Sequence, residues 1–236
     1  MTEVRTTVLP YGPDARPADL HRPGAGAADG LPVVLLWHGR GPDERDVLAP
    51  LARAAAARGL RVLVPDWRPD APDVGRAQLL ASAALARELA AGARLVLAGW
   101  SLGAKAAVGA ALNPAAFAGW RPDAVVAFAG SYATPAPSTG TTPLDDLPAA
   151  APGVPFHLLH GTADTVVDPA RTRELHAALL AHGHPATLAE PPTDHAGVIG
   201  TAYSPTAARC LPTPAPPARA ALHLTAETLT TAALTP

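Results

Sequence analysis

Residues 94–112 read RLVLAGWSLGAKAAVGAAL, and this stretch decides how the chain folds. Its first six residues form a short apolar run bounded by turn signals, the pattern of a strand buried on both faces. Residues 102–112 are rich in alanine and leucine and predict a helix that stops before Asn113-Pro114. Between the two lies Gly99-Trp100-Ser101-Leu102-Gly103, a serine flanked two positions away on either side by glycine. A strand that turns this sharply into a helix strains the serine backbone, and the glycines let the neighbouring chain pass. The hydroxyl then stands exposed above the sheet. Beneath it sits a helix N-terminus, whose free N–H groups and positive dipole end suit a developing oxyanion.

The same strand-to-helix rhythm extends in both directions. Buried strands are predicted over 33–38 (VVLLWH), 60–65 (LRVLVP), 124–129 (AVVAFA) and 156–160 (FHLLH), with a weaker one over 186–190. Helices are predicted over 43–58 and 76–91, closed by Gly59 and Gly92 as C′ glycines. Another runs over 169–182, with Asp168 as N-cap and Pro169 at the first helical position, and a last one over 218–233. This alternation predicts an α/β fold, a mostly parallel sheet flanked by helices on both faces, in a single domain spanning 1–236. Residues 3–9 and Asp19-Leu20-His21 read as edge strands, the latter followed by a loop rich in Gly and Ala. Segments 134–153 and 203–217 are heavy in proline and read as structureless connections.

A serine hydroxyl is a poor nucleophile at neutral pH, so it needs a base within reach and an acid to fix the tautomer of that base. In the α/β-hydrolase arrangement, which this serine elbow resembles, acid and base follow the serine in the chain, on loops after later strands. Asp164, in His160-Gly161-Thr162-Ala163-Asp164, lies just past the 156–160 strand and is the candidate acid; Asp168 is explained by its capping position. His195, in Thr193-Asp194-His195-Ala196-Gly197, follows the last predicted strand and is the candidate base. His157, His176, His182, His184 and His223 fall within predicted strands or helices, or just beyond them, and read as surface or packing residues. An oxyanion hole needs two backbone N–H groups. Leu102 supplies one, and the loop His38-Gly39-Arg40-Gly41 supplies the other through Arg40, with Gly41 beside it. Trp37, Trp67 and Trp100 all fall near strand C-terminal ends, as walls of a substrate site or as ordinary packing.

Composition bounds the remaining possibilities. With 48% hydrophobic and 16% charged residues and a formal net charge of -2, the chain has neither the composition of a disordered protein nor the clustered Lys and Arg of a partner for nucleic acid or an anionic membrane. The first ten residues carry Glu3 and Arg5 and lack the apolar core of a secretion signal, and no apolar run approaches a membrane span, so a cytoplasmic location is expected. A single cysteine, Cys210, excludes a disulfide framework and a cysteine-rich metal site. No His-x-x-x-His, dinucleotide or P-loop pattern is present, and serine chemistry needs no metal or cofactor. Nothing in the pattern fixes an oligomeric state.

Four blocks in order, 31–41 (LPVVLLWHGRG), 99–103 (GWSLG), 160–164 (HGTAD) and Asp194-His195, resemble the α/β-hydrolase superfamily over about residues 19–196. Within it the chain is similar to small esterases of the dienelactone-hydrolase and feruloyl-esterase-like kind, including the run Asp19-Leu20-His21-Arg22-Pro23. The resemblance implies an eight-stranded sheet, a triad of Ser101, Asp164 and His195, and an acyl-enzyme intermediate. Arg40 departs from the common His-Gly-Gly-Gly block, and Leu102 stands where many relatives have alanine. Segment 134–153 is too short and too rich in proline for a helical cap domain. The expected substrate is a small-molecule ester with a small or medium acyl group. Thioester hydrolysis, acyl transfer, and a non-catalytic module that kept the fold remain as alternatives.

Overall fold

The computed structural model describes residues 3–24 and 30–235; the Gly/Ala-rich loop expected after His21 falls mostly outside them. Chain order gives β1 (Val4–Tyr11), β2 (Arg16–Pro23), β3 (Val33–Trp37), α1 (Arg45–Ala56), β4 (Arg61–Pro65), α2 (Arg76–Ala90), β5 (Leu95–Trp100), α3 (Leu102–Leu112) and β6 (Ala124–Phe128). There follow α4 (Pro143–Asp146), β7 (Phe156–Leu159), α5 (Ala170–Ala181), β8 (Ala186–Ala189), β9 (Thr201–Ser204), β10 (Arg209–Pro212) and α6 (Pro216–Leu234). Eight strands form one sheet in the order β1-β2-β4-β3-β5-β6-β7-β8. From β4 to β8 every pairing is parallel, whereas β1–β2 and β2–β4 are antiparallel.

The central strands are continuous apolar runs because both of their faces are covered. Val33, Leu35 and Trp37 of β3, Leu95 and Leu97 of β5, and Val125 and Ala127 of β6 point into a core shared with α2, α3 and α5. Their alternate neighbours Val34, Leu36, Val96, Ala98, Trp100, Val126 and Phe128 point into a second core shared with α1 and α6. Each fully buried Val or Leu contributes about 1.5–3 kcal/mol, so slipping any central strand by one residue would exchange two complete sets of contacts.

Sheet order also places the site. From β3 the chain runs outward through α1 to β4, then back across through α2 to β5 on the other side of β3. Right-handed crossovers taken in opposite directions put α1 and α2 on opposite faces and open a crevice at the C-terminal ends of β3 and β5.

Three sequence expectations change. The stretch 203–217 is not structureless: β9 and β10 form an antiparallel hairpin, Tyr203 opposite Cys210. Arg209 fastens it to the main body by ion-pairing with Asp46 and donating to the Asp43 carbonyl. Segment 134–153 contains α4 and a 3-10 turn over Leu147–Ala149. It lies along α3, with Ser138 Oγ donating to the Ala106 carbonyl at 2.7 Å, and no cap domain interrupts the sheet order among the described residues. The left-handed end of α2 begins one residue earlier than expected, at Ala91 with φ 48°. Among the described residues, no helix is long and apolar enough to cross a membrane.

Candidate active site

Ser101 sits between β5 and α3 with φ 57° and ψ −116°. Such a backbone costs about 1–3 kcal/mol and persists only where the surroundings enforce it. Here they do. The Ser101 N–H donates to the Phe128 carbonyl at 2.9 Å, tying the turn to the end of β6. A side chain at Gly99 would stand 2.2 Å from the Gly103 carbonyl oxygen, and one at Gly103 would stand 2.2 Å from the Trp37 oxygen and 2.4 Å from that of His38. The two glycines therefore let strand, helix and the loop after β3 meet at one point.

Asp164 and His195 arrive from the loops after β7 and β8. These loops are zipped together: Ala163 N–H donates to the Thr193 carbonyl at 3.0 Å, and Thr162 N–H to that of Pro191 at 3.0 Å. Gly161 permits this approach, since a Cβ there would be 2.2 Å from the Thr193 oxygen. His195 Nδ1 lies 2.7 Å from Asp164 Oδ2. The other carboxylate oxygen, Oδ1, accepts the Val166 and Val167 N–H groups at 2.8 and 2.9 Å. Burial alone would raise the Asp164 carboxyl, but the hydrogen bonds from His160, His195 and Val167 outweigh it and hold the group well below the usual carboxylate range. Asp168, by contrast, is exposed and caps α5 through Oδ1, which accepts the Ala170 N–H at 2.8 Å.

His195 is joined to the serine turn through the residue that precedes Ser101. Trp100 Nε1 donates to the His195 carbonyl at 2.9 Å, and the two rings lie 5.2 Å apart, tilted by 42°. The Ser101 hydroxyl itself makes no hydrogen bond among the described residues. Nucleophile–base bonds are commonly loose in unliganded enzymes and tighten only when substrate is bound.

The backbone N–H groups of Leu102 and Arg40 have no partner among the described residues. The loop that presents Arg40 is built around Glu44. Its carboxylate occupies the space next to Gly39 and Gly41, where added Cβ atoms would come within 3.0 and 2.4 Å of its oxygens. Burial raises the Glu44 carboxyl, opposed by the Gly41 and Gly39 amides and by Arg209. Arg45 braces the loop from outside, reaching Asp43 at 2.6 Å and Asp19 of β2 at 2.5 Å. The Arg40 side chain is exposed.

The tryptophans are not arranged as walls. Trp37 and Trp67 have no exposed surface. Trp37 Nε1 donates to Ser82 Oγ at 3.0 Å under α2, and Trp67 Nε1 to the His38 carbonyl at 3.2 Å. Position at a strand end does not reveal which way a side chain points, and these two point into the core. Trp100 is 4% exposed and acts as a strut between serine turn and histidine loop. Sequence reading also passed over His160 and Thr172, both fully buried behind Asp164. His160 stands in the block that supplied Asp164, whereas Thr172 reaches it from α5.

A sheet of this order, with a strained serine turn after β5 and a His–Asp pair on the later loops, has the α/β-hydrolase fold. No protein-family model and no curated protein sequence matches the chain, but solved structures do. Carboxyl esterase 2 of the fungus Tuber melanosporum superposes with a TM-score of 0.67 at 17% identity, over 98% of this chain and 86% of its own. A protein of Klebsiella pneumoniae provisionally assigned as a dienelactone hydrolase superposes with a TM-score of 0.67 at 20% identity, over 99% of this chain and 98% of its own. A thermostable esterase of Pseudomonas putida gives a TM-score of 0.69 at 17% identity, over 100% and 84% respectively. The chain is thus similar in fold to esterases and to a dienelactone hydrolase.

Proposed function

We propose that the chain is a serine hydrolase that cleaves carboxylic esters of small or medium acyl groups through an acyl-enzyme intermediate. The observation that carries this reading is the linkage of a strained serine turn to a buried His–Asp pair: Trp100 Nε1 holds the His195 carbonyl at 2.9 Å while His195 Nδ1 meets Asp164 at 2.7 Å. In this mechanism Ser101 Oγ attacks the ester carbonyl carbon and His195 Nε2 takes the hydroxyl proton, while Asp164 holds Nδ1–H and stabilises the imidazolium. The carbonyl oxygen, now negative, is received by the N–H groups of Leu102 and Arg40, each such donor being worth about 10²–10³ in rate. Collapse expels the alcohol, which leaves with the proton from His195. Water then attacks the acyl carbon and gives a proton to the same nitrogen, and collapse breaks the bond to Ser101, whose Oγ takes that proton back as the acid leaves. The esterase folds of the Tuber melanosporum and Pseudomonas putida proteins support ester hydrolysis as the reaction class.

The test is hydrolysis of p-nitrophenyl esters of increasing acyl length by the parent and by Ser101→Ala. The reading expects activity on the shorter chains and a loss of about 10³-fold or more in kcat for the variant. Parental rates in Ser101→Ala would end it.

A further inference from the structure

Behind the triad acid lies a second, fully buried imidazole. His160 ends the segment that carries β7, and neither its side chain nor that of Asp164 has exposed area. Its Nε2 lies 3.0 Å from Asp164 Oδ2 and 2.9 Å from the Val167 carbonyl oxygen. Both partners only accept, so Nε2 carries a hydrogen. In the neutral ring Nδ1 is then an acceptor, and Thr172 Oγ1, at 2.6 Å, donates to it. Thr172 comes from α5 and also lies 3.3 Å from the Gly130 carbonyl at the end of the β6 segment.

We propose that His160 is a positioning residue for the proposed triad: it donates Nε2–H to Asp164 Oδ2, the oxygen that also receives His195 Nδ1, and so fixes the carboxylate that orients the base. This rests on the serine-hydrolase reading. A carboxylate has about four acceptor positions, and at Asp164 all are filled, two on Oδ1 by the Val166 and Val167 amides and two on Oδ2 by the imidazoles. No acceptor direction remains to draw the group toward water or toward another rotamer. The chain of contacts runs from Thr172, which holds the far side of the His160 ring from α5, through His160 and Asp164 to His195. The depressed Asp164 carboxyl, for which the His160 bond is the foremost lowering cause, accords with this arrangement. A histidine that merely packs the end of β7 would need neither the second bond to Oδ2 nor a hydroxyl on the far side of its ring.

Two substitutions separate positioning from packing. The Gln side chain carries its amide nitrogen to about where Nε2 sits, whereas Asn reaches only the level of Nδ1. His160→Asn is expected to lower kcat about 10- to 100-fold with KM within about twofold of the parent, the range seen when partners that orient an active-site ligand are removed. With one donor gone, Oδ2 becomes a stronger acceptor for His195 Nδ1–H and favours the imidazolium, so the acid limb of kcat/KM moves to higher pH. His160→Gln is expected to restore most of kcat and return the limb toward its parental position. Thr172→Val, which nearly preserves shape, keeps the proposal testable should both His160 variants fail to fold; a loss of about 3- to 10-fold in kcat at unchanged KM is expected. The proposal is overturned if Asn and Gln variants are equally impaired with an unmoved acid limb, if both match the parent, or, where neither folds, if Thr172→Val retains parental kcat. Ser101→Ala run in parallel keeps the two claims apart. An inactive Ser101→Ala beside a fully active His160→Asn defeats only the positioning role, whereas an active Ser101→Ala defeats the hydrolase reading itself.

Discussion

His21 gives a way to test the physics of the sheet apart from the chemistry of the site. It lies on β2, 2% exposed, with Nδ1 2.9 Å from Thr6 Oγ1 and Nε2 without a partner among the described residues. Burial, aided by the positive charge of Arg53, pushes its pKa down from 6.5 to about 4. The folded protein thus binds this proton less readily than the unfolded chain, so the stability it permits is complete above about pH 6.5 and falls as pH drops toward 4. At pH 5 an unfolded pKa of 6.5 and a folded one of about 4 correspond to a loss of about 2 kcal/mol, against about 0.2 kcal/mol at pH 7. Many carboxylates also titrate near this window, so the effect is read as a difference. His21→Asn keeps a polar partner for Thr6 but cannot ionise. Urea unfolding followed by circular dichroism at pH 7 and pH 5 should show the parent losing about 2 kcal/mol more than the variant over that interval. Equal losses, to within about 0.5 kcal/mol, would show that a buried imidazole with no partner for Nε2 does not resist protonation here.

Other perturbations probe the site more directly. Gly103→Ala forces a methyl group to within 2.2 Å of the Trp37 carbonyl oxygen, and backbone cannot yield cheaply; a loss of about 3 kcal/mol in stability is expected, read as a fall in Tm, and an unchanged Tm would contradict it. Trp37→Phe removes the bond to Ser82 and some core volume, lowering stability by about 1–3 kcal/mol while leaving the KM for esters unchanged, because the ring is buried against α2 with no exposed surface. The Glu44 carboxyl is raised by burial, so the penalty of its charge is absent in acid and grows as pH rises through the folded pKa. Glu44→Gln should therefore gain stability relative to the parent at pH 8 but not at pH 4, as measured by urea unfolding.

Much of this architecture could be read from the chain because its central strands are buried on both faces. An unbroken apolar run such as VVLLW, between turn residues, has few other places to go, and the predicted bounds of β3, β5 and β6 differ from the observed ones by a residue at most. The serine turn was legible for a related reason: a glycine on each side of Ser101 answers a contact with passing backbone at 2.2 Å, which no other residue tolerates. The β9–β10 hairpin was hidden because its strands are four residues long, half exposed and bracketed by prolines. What holds it is Arg209 reaching Asp46, 163 positions away in sequence, and local pattern carries no trace of that. Trp37 and Trp67 show the same limit, since proximity to a strand end is a one-dimensional fact and facing a site is a three-dimensional one. The partnership of His160 with Thr172 needed α5 to be packed against β7 before it could be seen.

In the proposed mechanism Ser101 is the one activated hydroxyl among the five serines of the chain. Labelling the folded protein with a fluorophosphonate and mapping the adduct by peptide mass spectrometry tests it most directly. A single adduct is expected on the peptide that carries Ser101, abolished by unfolding the protein beforehand and by His195→Ala. Absence of any adduct, or stoichiometric labelling at Ser82, Ser131, Ser138 or Ser204 instead, would contradict it.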